Sequence, residues 1–393
     1  MRDELDRKAM ATLSGGHLAV DFASGAVPAL LPFFVREFDL SYTATAALML
    51  AVLASSSFVQ PLFGLWSDRR GAAWLLPGGI ALAGVATGLA AVAPTYVLVL
   101  VLVFLGGIGI AAYHPEGAKF AAYVSGRKRA SGMSYFNIGG NTGYALGPIV
   151  VTPLVLWLGL TGGLVAMLPV VLVAVLLLRA LPALERRVPA RVERHDEGAG
   201  EDDVRAMTLL AGVIALRSVA WFGLLTFVPL WVIANGGTEG AGNRELSLML
   251  VAGAVGTLVL GPVADRIGLR RTLVLTQAAL PLLMVTYVQV GGVPGTVALM
   301  LVGLCVVGTF GITMVLSQLY LPRHVGMASG LSVGLAMGLG GIAAVALGAL
   351  ADVIDLETAL YAAAAAPALG CLLCLLLPRP AAWPGRAVAA PTV

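Results

Sequence analysis

The chain has 393 residues, 59% of them hydrophobic and 11% charged, with a mean hydropathy of +0.93. A soluble domain carries about 25% charged residues and keeps about a quarter of its unfolded-chain surface wet, so this composition excludes an ordinary soluble enzyme, a disulfide scaffold and a disordered chain. A net charge of +3 gives no basis for nucleic-acid binding.

Apolar runs of about 20 residues, the length that crosses a bilayer as a helix, recur along the chain, and alternating ten-residue strands are absent. Lipid offers backbone amides no partner, so such runs must satisfy their own hydrogen bonds as helices. The expectation is an all-α integral membrane protein. Twelve transmembrane helices are predicted at 13–35, 43–66, 74–93, 96–122, 131–158, 162–178, 207–234, 246–264, 272–290, 295–317, 328–351 and 358–377. Arg2–Lys8 mixes both charge signs and the first apolar run is a full span long, so it is expected to be a span rather than a cleavable leader.

Basic residues gather in cytoplasmic loops. With the N-terminus inside, 21 of the 24 Lys and Arg fall on inside segments, Arg36 and Arg244 fall outside, and Arg217 lies within the seventh span. Both termini are therefore expected in the cytoplasm, with the protein multi-pass in the cell (inner) membrane.

The longest polar stretch, Arg179–Arg205, divides the spans into two sets of six. The predicted organisation is a six-helix bundle over 1–178, a cytoplasmic linker over 179–206, a second six-helix bundle over 207–378 and a cytoplasmic tail over 379–393. The halves echo each other. Gly64, Asp68, Arg69 and Gly71 after the second span recur as Gly261, Asp265, Arg266 and Gly268 after the eighth, and Ala130-Ser131-Gly132 recurs as Ala328-Ser329-Gly330. Duplicated sets of spans are a secondary-transporter architecture.

Ionised groups inside a bilayer are expensive and usually serve transport. His17 and Asp21 are four apart on span one, hence on one face. His114 and Glu116 flank Pro115 in span four, and Arg217 is deep in span seven. Asp21 and Glu116 are the candidate proton carriers, with His17 and His114 as relay or tuner. Arg217 is the candidate substrate contact. Asn137 and Asn141, four apart on span five, suit either substrate contact or helix packing, and Trp221, four after Arg217, is the remaining candidate.

The repeated G-x-x-x-D-R-x-G loop resembles the signature of the major facilitator superfamily. The resemblance implies that Gly64, Asp68 and Arg69, with Gly261, Asp265 and Arg266, form gating loops that latch the cytoplasmic helix ends. It also implies that spans one, four, seven and ten line a central cavity. Ala72 and Ala73 stand where the family usually has a basic pair. Gly16-His17 through Asp21, Tyr113-His114-Pro115-Glu116 and Gly139-Gly140-Asn141 through Gly147-Pro148 are similar to the fosmidomycin-resistance branch, bacterial exporters of small drugs. Gly143 and Gly147-Pro148 resemble the tail of the span-five antiporter motif without its flanking glycines, and small-residue helix packing with a proline kink is the alternative.

No nucleotide-binding loop is present, so the energy must come from an ion or substrate gradient. The expected function is proton-coupled export of a small drug-like or anionic metabolite by alternating access. Its partners would be the substrate, protons and the bilayer, and the protein would be a monomer. Proton-coupled uptake of an organic anion on the same fold is the alternative. A membrane-embedded enzyme or a receptor has less support, because no catalytic constellation is visible and no large extramembrane segment exists. Cys305, Cys371 and Cys374 lie in apolar runs, and Cys371-x-x-Cys374 has no second pair. Neither a metal nor a cofactor is expected.

Overall fold

The computed structural model describes residues 5–70, 72–126, 129–187 and 201–378. Among them the chain is almost entirely helical: α1 Arg7–Phe38, α2 Tyr42–Arg70, α3 Leu75–Ala91, α4 Tyr96–Val124, α5 Arg129–Leu158, α6 Thr161–Glu185, α7 Val204–Ala234, α8 Glu239–Ile267, α9 Leu269–Val290, α10 Gly292–Gly308, α11 Phe310–Tyr320, α12 Val325–Val353 and α13 Leu356–Leu376. Eleven segments are long and apolar enough to cross a membrane, with α10 and α11 counted as one, and the 17-residue α3 is a shorter apolar helix. This is the twelve-span fold expected from the apolar runs. The tenth span alone is split, at Thr309.

Helix starts follow local chemistry. Asp6, Thr95, Asp203, Thr238 and Asp355 each accept a backbone N–H at the head of the helix they precede, satisfying a donor that has no intrahelical partner. Gly268 turns between α8 and α9 with φ 99°, a region that favours glycine.

The two halves repeat one packing pattern. In the first bundle α1 packs on α5, α2 on α4, α3 on α4 and α6. The second repeats this with α7 on α12, α8 on α10, and α9 on α10 and α13. The bundles meet through two related seams, α2 with α12 and α5 with α8. The most apolar windows of α1 and α7 are 78% and 83% buried, against 28% for α6. Helices one and seven are thus central, and α6 presents its surface to lipid.

The polar links between bundles lie at the end remote from the linker. Arg36 Nη1 donates to Glu239 at 2.6 Å, and Asn243 Nδ2 donates to the Ala29 carbonyl at 2.8 Å. Asp352, near the end of α12, accepts the Tyr42 and Thr43 amides at 2.7 and 2.9 Å, so it caps the start of α2 from the opposite bundle. Toward the linker end, Phe58 and Leu62 on α2 are 71% and 63% exposed.

Candidate functional site

Small residues bring α1 and α5 close enough to build a site. A Cβ at Gly139, Gly143 or Gly147 would strike the backbone of α1 at Ser14, Leu18 or Gly25. Close helix packing is therefore the role the geometry gives these glycines. The seam places the α5 carbonyl of Phe136 beside His17, while α4 brings His114 to the same point.

Asp21 lies at the middle of the 32-residue α1, between two imidazoles. Its Oδ2 is 3.2 Å from His17 Nε2 and its Oδ1 is 3.3 Å from His114 Nε2. The other nitrogen of each ring contacts a carbonyl: His17 Nδ1 is 2.8 Å from Phe136 O, and His114 Nδ1 is 2.8 Å from Ile110 O. A carbonyl only accepts, so both Nδ1 atoms carry hydrogen and both Nε2 atoms face the carboxylate. With neutral rings and an ionised carboxylate, lone pair meets lone pair at each contact. One added proton satisfies one contact and two satisfy both. The three atoms lie within 4.8 Å of one another. The two N–O separations are direct hydrogen-bond distances.

The surroundings fix the rings. His17 stacks on Phe136 with centroids 4.1 Å apart, and His114 meets it edge-on at 5.1 Å. Tyr113 Oη donates to the Leu13 carbonyl at 2.6 Å, tying α4 to α1 behind the cluster. Asp21 and His114 keep 17% and 23% side-chain exposure, which leaves a route for exchange.

Glu116 stands apart from this group. It is buried on the α2 side of α4, accepting the Ser67 hydroxyl and lying 3.6 Å from Lys119 Nζ, which also donates to Ser67 Oγ at 2.6 Å. The sequence places Glu116 with Asp21, but the structure joins it to the α2 residue preceding Asp68.

In the second bundle Arg217 is 1% exposed at the middle of the 31-residue α7. Nη1 donates to Thr309 Oγ1 at 2.8 Å and Nη2 to Thr313 Oγ1 at 3.4 Å, while Phe310 covers the guanidinium at 4.5 Å. Its Nε is buried without a partner, and no carboxylate pairs with it among the described residues. Trp221 is buried edge-on to Phe310, which makes it a support for that ring. Thr309 sits where α10 gives way to α11, so the break in span ten delivers its hydroxyl to Arg217.

Asn137 is exposed and Asn141 partly so, and neither makes a side-chain hydrogen bond among the described residues. An unpaired amide is costly in hydrocarbon. The side chains of Asp68 and Arg69 lie outside the described residues, and Gly64 has open space around it apart from Pro115 at 3.8 Å. In the second copy Asp265 and Arg266 are exposed, and Gly261 has nothing close to it. Sequence reasoning missed Phe136, Ser67 and Lys119, and it named Tyr113 only as part of the motif with His114 and Glu116. Lys119 is one turn after Glu116, so helical spacing was the available signal for it; Phe136 acts through its backbone carbonyl and its ring on a different helix, which spacing does not reveal.

The sequence profile of the Major Facilitator Superfamily matches residues 13–343. The chain belongs to this superfamily. It is accordingly a multi-pass membrane transporter. Among relatives, it is 30% identical to the MFS-type transporter YfnC of Bacillus subtilis (strain 168), over 92% of this chain and 90% of that protein. It is 29% identical to the fosmidomycin resistance protein of Escherichia coli (strain K12), over 94% and 92%. A bacterial homologue of the human lysosomal transporter Spinster shares the fold at a TM-score of 0.77 and 13% identity, covering 94% of this chain and 96% of that one. The superfamily fold thus frames two buried polar centres, one in each bundle.

Proposed function

We propose that this transporter exports a small drug-like or anionic metabolite from the cytoplasm across the cell membrane in exchange for protons. The observation that carries the reading is Asp21 bridging His17 and His114 on two central helices, a cluster whose hydrogen bonds are completed by added protons. In this reading the linker end and both termini are cytoplasmic, and the protein works as a monomer with a bundle on each side of the cleft. The form described is then the inward-facing one, held shut outside by Arg36–Glu239 and by the Asp352 cap.

The cycle follows from charge. Protons enter the cluster from outside when the far end is open. Closure of that end and opening toward the cytoplasm release them as substrate occupies the cleft. Arg217 serves the anionic part of a substrate, with Phe310 as the ring that must turn aside, and Asn137 and Asn141 face the same water. Asp68 with Arg69 and Asp265 with Arg266 are proposed as the two cytoplasmic latches, with Glu116 positioning the first through Ser67. Membrane potential adds about 2.3 kcal/mol per charge per 100 mV, which assists export of an anion. The fosmidomycin resistance protein among the relatives supports the outward direction.

Proton-linked uptake of an organic anion is the second reading. It is favoured by Arg217 having no carboxylate partner among the described residues, since a protonated cluster and an unneutralised guanidinium both attract an anion. Purified protein in vesicles of fixed orientation, given an imposed pH gradient and a panel of small anions and drugs, separates the two. Export predicts substrate flow opposite to proton flow, collapsed by a protonophore. Flow in the same direction replaces it with uptake, and flow unaffected by the protonophore removes proton coupling altogether.

A further inference from the structure

At the far end, the seam between α5 and α8 opens sideways into a groove of about 430 Å³. Ile149, Thr152 and Leu156 line it from α5, and Asn243, Arg244 and Val251 from α8. The helices run antiparallel here, with Leu156 against Gly240 at the mouth. From Gly240 to Val251 the groove is about 16 Å long at 1.5 Å per residue, about half of a hydrocarbon core of roughly 30 Å. Its depth is therefore that of one leaflet.

The lining is graded. The deep and outer walls are apolar, and Ile149, Leu156 and Val251 are 41%, 56% and 42% exposed, surfaces that lipid alone covers in a membrane. Two of the residues that line it, Thr152 and Asn243, are 6% and 1% exposed and each carries a buried polar atom without a partner, Thr152 Oγ1 and Asn243 Oδ1. Near the mouth Arg244 is exposed and has no ion pair among the described residues; of the acids close in sequence, Glu239 is held by Arg36 at 2.6 Å and Glu245 accepts from Thr296 at 3.1 Å. The rim thus offers an exposed cation without an ion-pair partner among the described residues, above an apolar slot.

We infer that this groove binds one anionic phospholipid from the far-end leaflet, its phosphate on Arg244, its polar glycerol region at Asn243 and Thr152, and an acyl chain along Ile149 and Val251. The anionic head meets the free cation, and an ester carbonyl of the glycerol region accepts from the Thr152 hydroxyl. The site crosses the seam between bundles beside the Asn243–Ala29 link. A lipid seated there contacts both bundles at once. This site is independent of the direction of transport and of the coupling ion.

The test extracts the full-length protein from vesicles of phosphatidylcholine and phosphatidylglycerol and counts retained lipid by native mass spectrometry. Wild type keeps one phosphatidylglycerol in preference to phosphatidylcholine. Arg244→Gln lowers that retention about fivefold, the factor carried by about 1 kcal/mol per Arg near an anionic surface. Ser247→Phe, which fills the groove from α8, removes it, and Arg205→Gln at the opposite end leaves it as in wild type. Equal retention of the two lipids, or phosphatidylglycerol kept by either Arg244→Gln or Ser247→Phe, overturns the inference. A monodisperse elution profile for each variant establishes that loss of lipid is not loss of fold.

Discussion

A methyl group on Gly140 would stand 2.5 Å from His17 Nε2 and 2.6 Å from Asp21 Oδ2. The α5 backbone is thus part of the wall of the cluster, and the site has its shape because one residue has no side chain. Gly140→Ala is expected to push the carboxylate and imidazole apart, at about 1–3 kcal/mol for overpacking of this kind. It should lower pH-driven transport while the protein still inserts. Gly15→Ala has nothing within 4 Å of the new atom and serves as the control. Flux in vesicles alongside thermal unfolding checks both, and an active Gly140→Ala variant would show that the cluster tolerates displacement.

Asp21→Asn keeps the shape and removes the charge. The amide N–H₂ donates to one of the facing Nε2 lone pairs without any added proton, so the variant imitates a permanently loaded cluster. Transport driven by a pH gradient is expected to vanish, whereas exchange of labelled for unlabelled substrate persists. Wild-type gradient-driven flux in this variant would remove Asp21 from the coupling role.

Glu116→Gln should behave differently. Its partners are Ser67 and Lys119, both within reach of the α2 end, and not the two histidines. The expected result is slower turnover with an unchanged pH profile, measured as flux from pH 5.5 to 8.5 at a fixed gradient. A shifted profile would return Glu116 to the proton path.

Arg217→Lys retains a positive charge but loses the fork that reaches Thr309 and Thr313 together, along with the flat contact against Phe310. Hydrogen bonds to charged groups are worth about 1.5–3 kcal/mol, so KM for an anionic substrate should rise about tenfold or more. Transport of an uncharged substrate should change much less. Equal effects on both would assign Arg217 to holding α7 against the tenth span.

The twelve spans were legible because hydrocarbon imposes a length and an apolar content that few other structures share. Their ends were not. The sixth span runs to Glu185 and the eighth begins at Glu239, beyond the apolar runs at 178 and 246, because helices continue into the interfacial zone until a cap such as Thr238 stops them. The break at Thr309 was invisible because valine, glycine and phenylalanine continue the apolar run through it. The His17–Asp21 pairing could be read from four-residue spacing. The separation of Glu116 from Asp21 could not, because residues two apart on α4 face different neighbours, and only the packing of α2 and α1 around that helix decides which. The proposed roles of the Asp68 and Arg69 side chains fall outside the described residues.

The clasp between Asp352 and the start of α2 has a further consequence. If the far end opens, the amides of Tyr42 and Thr43 are stripped of their acceptor, and water is the available replacement. The outward-open form is then the more hydrated one, and the balance between the two forms responds to the activity of water itself. A solute excluded from protein surfaces would tilt the cycle toward the form described, without touching substrate, proton or lipid.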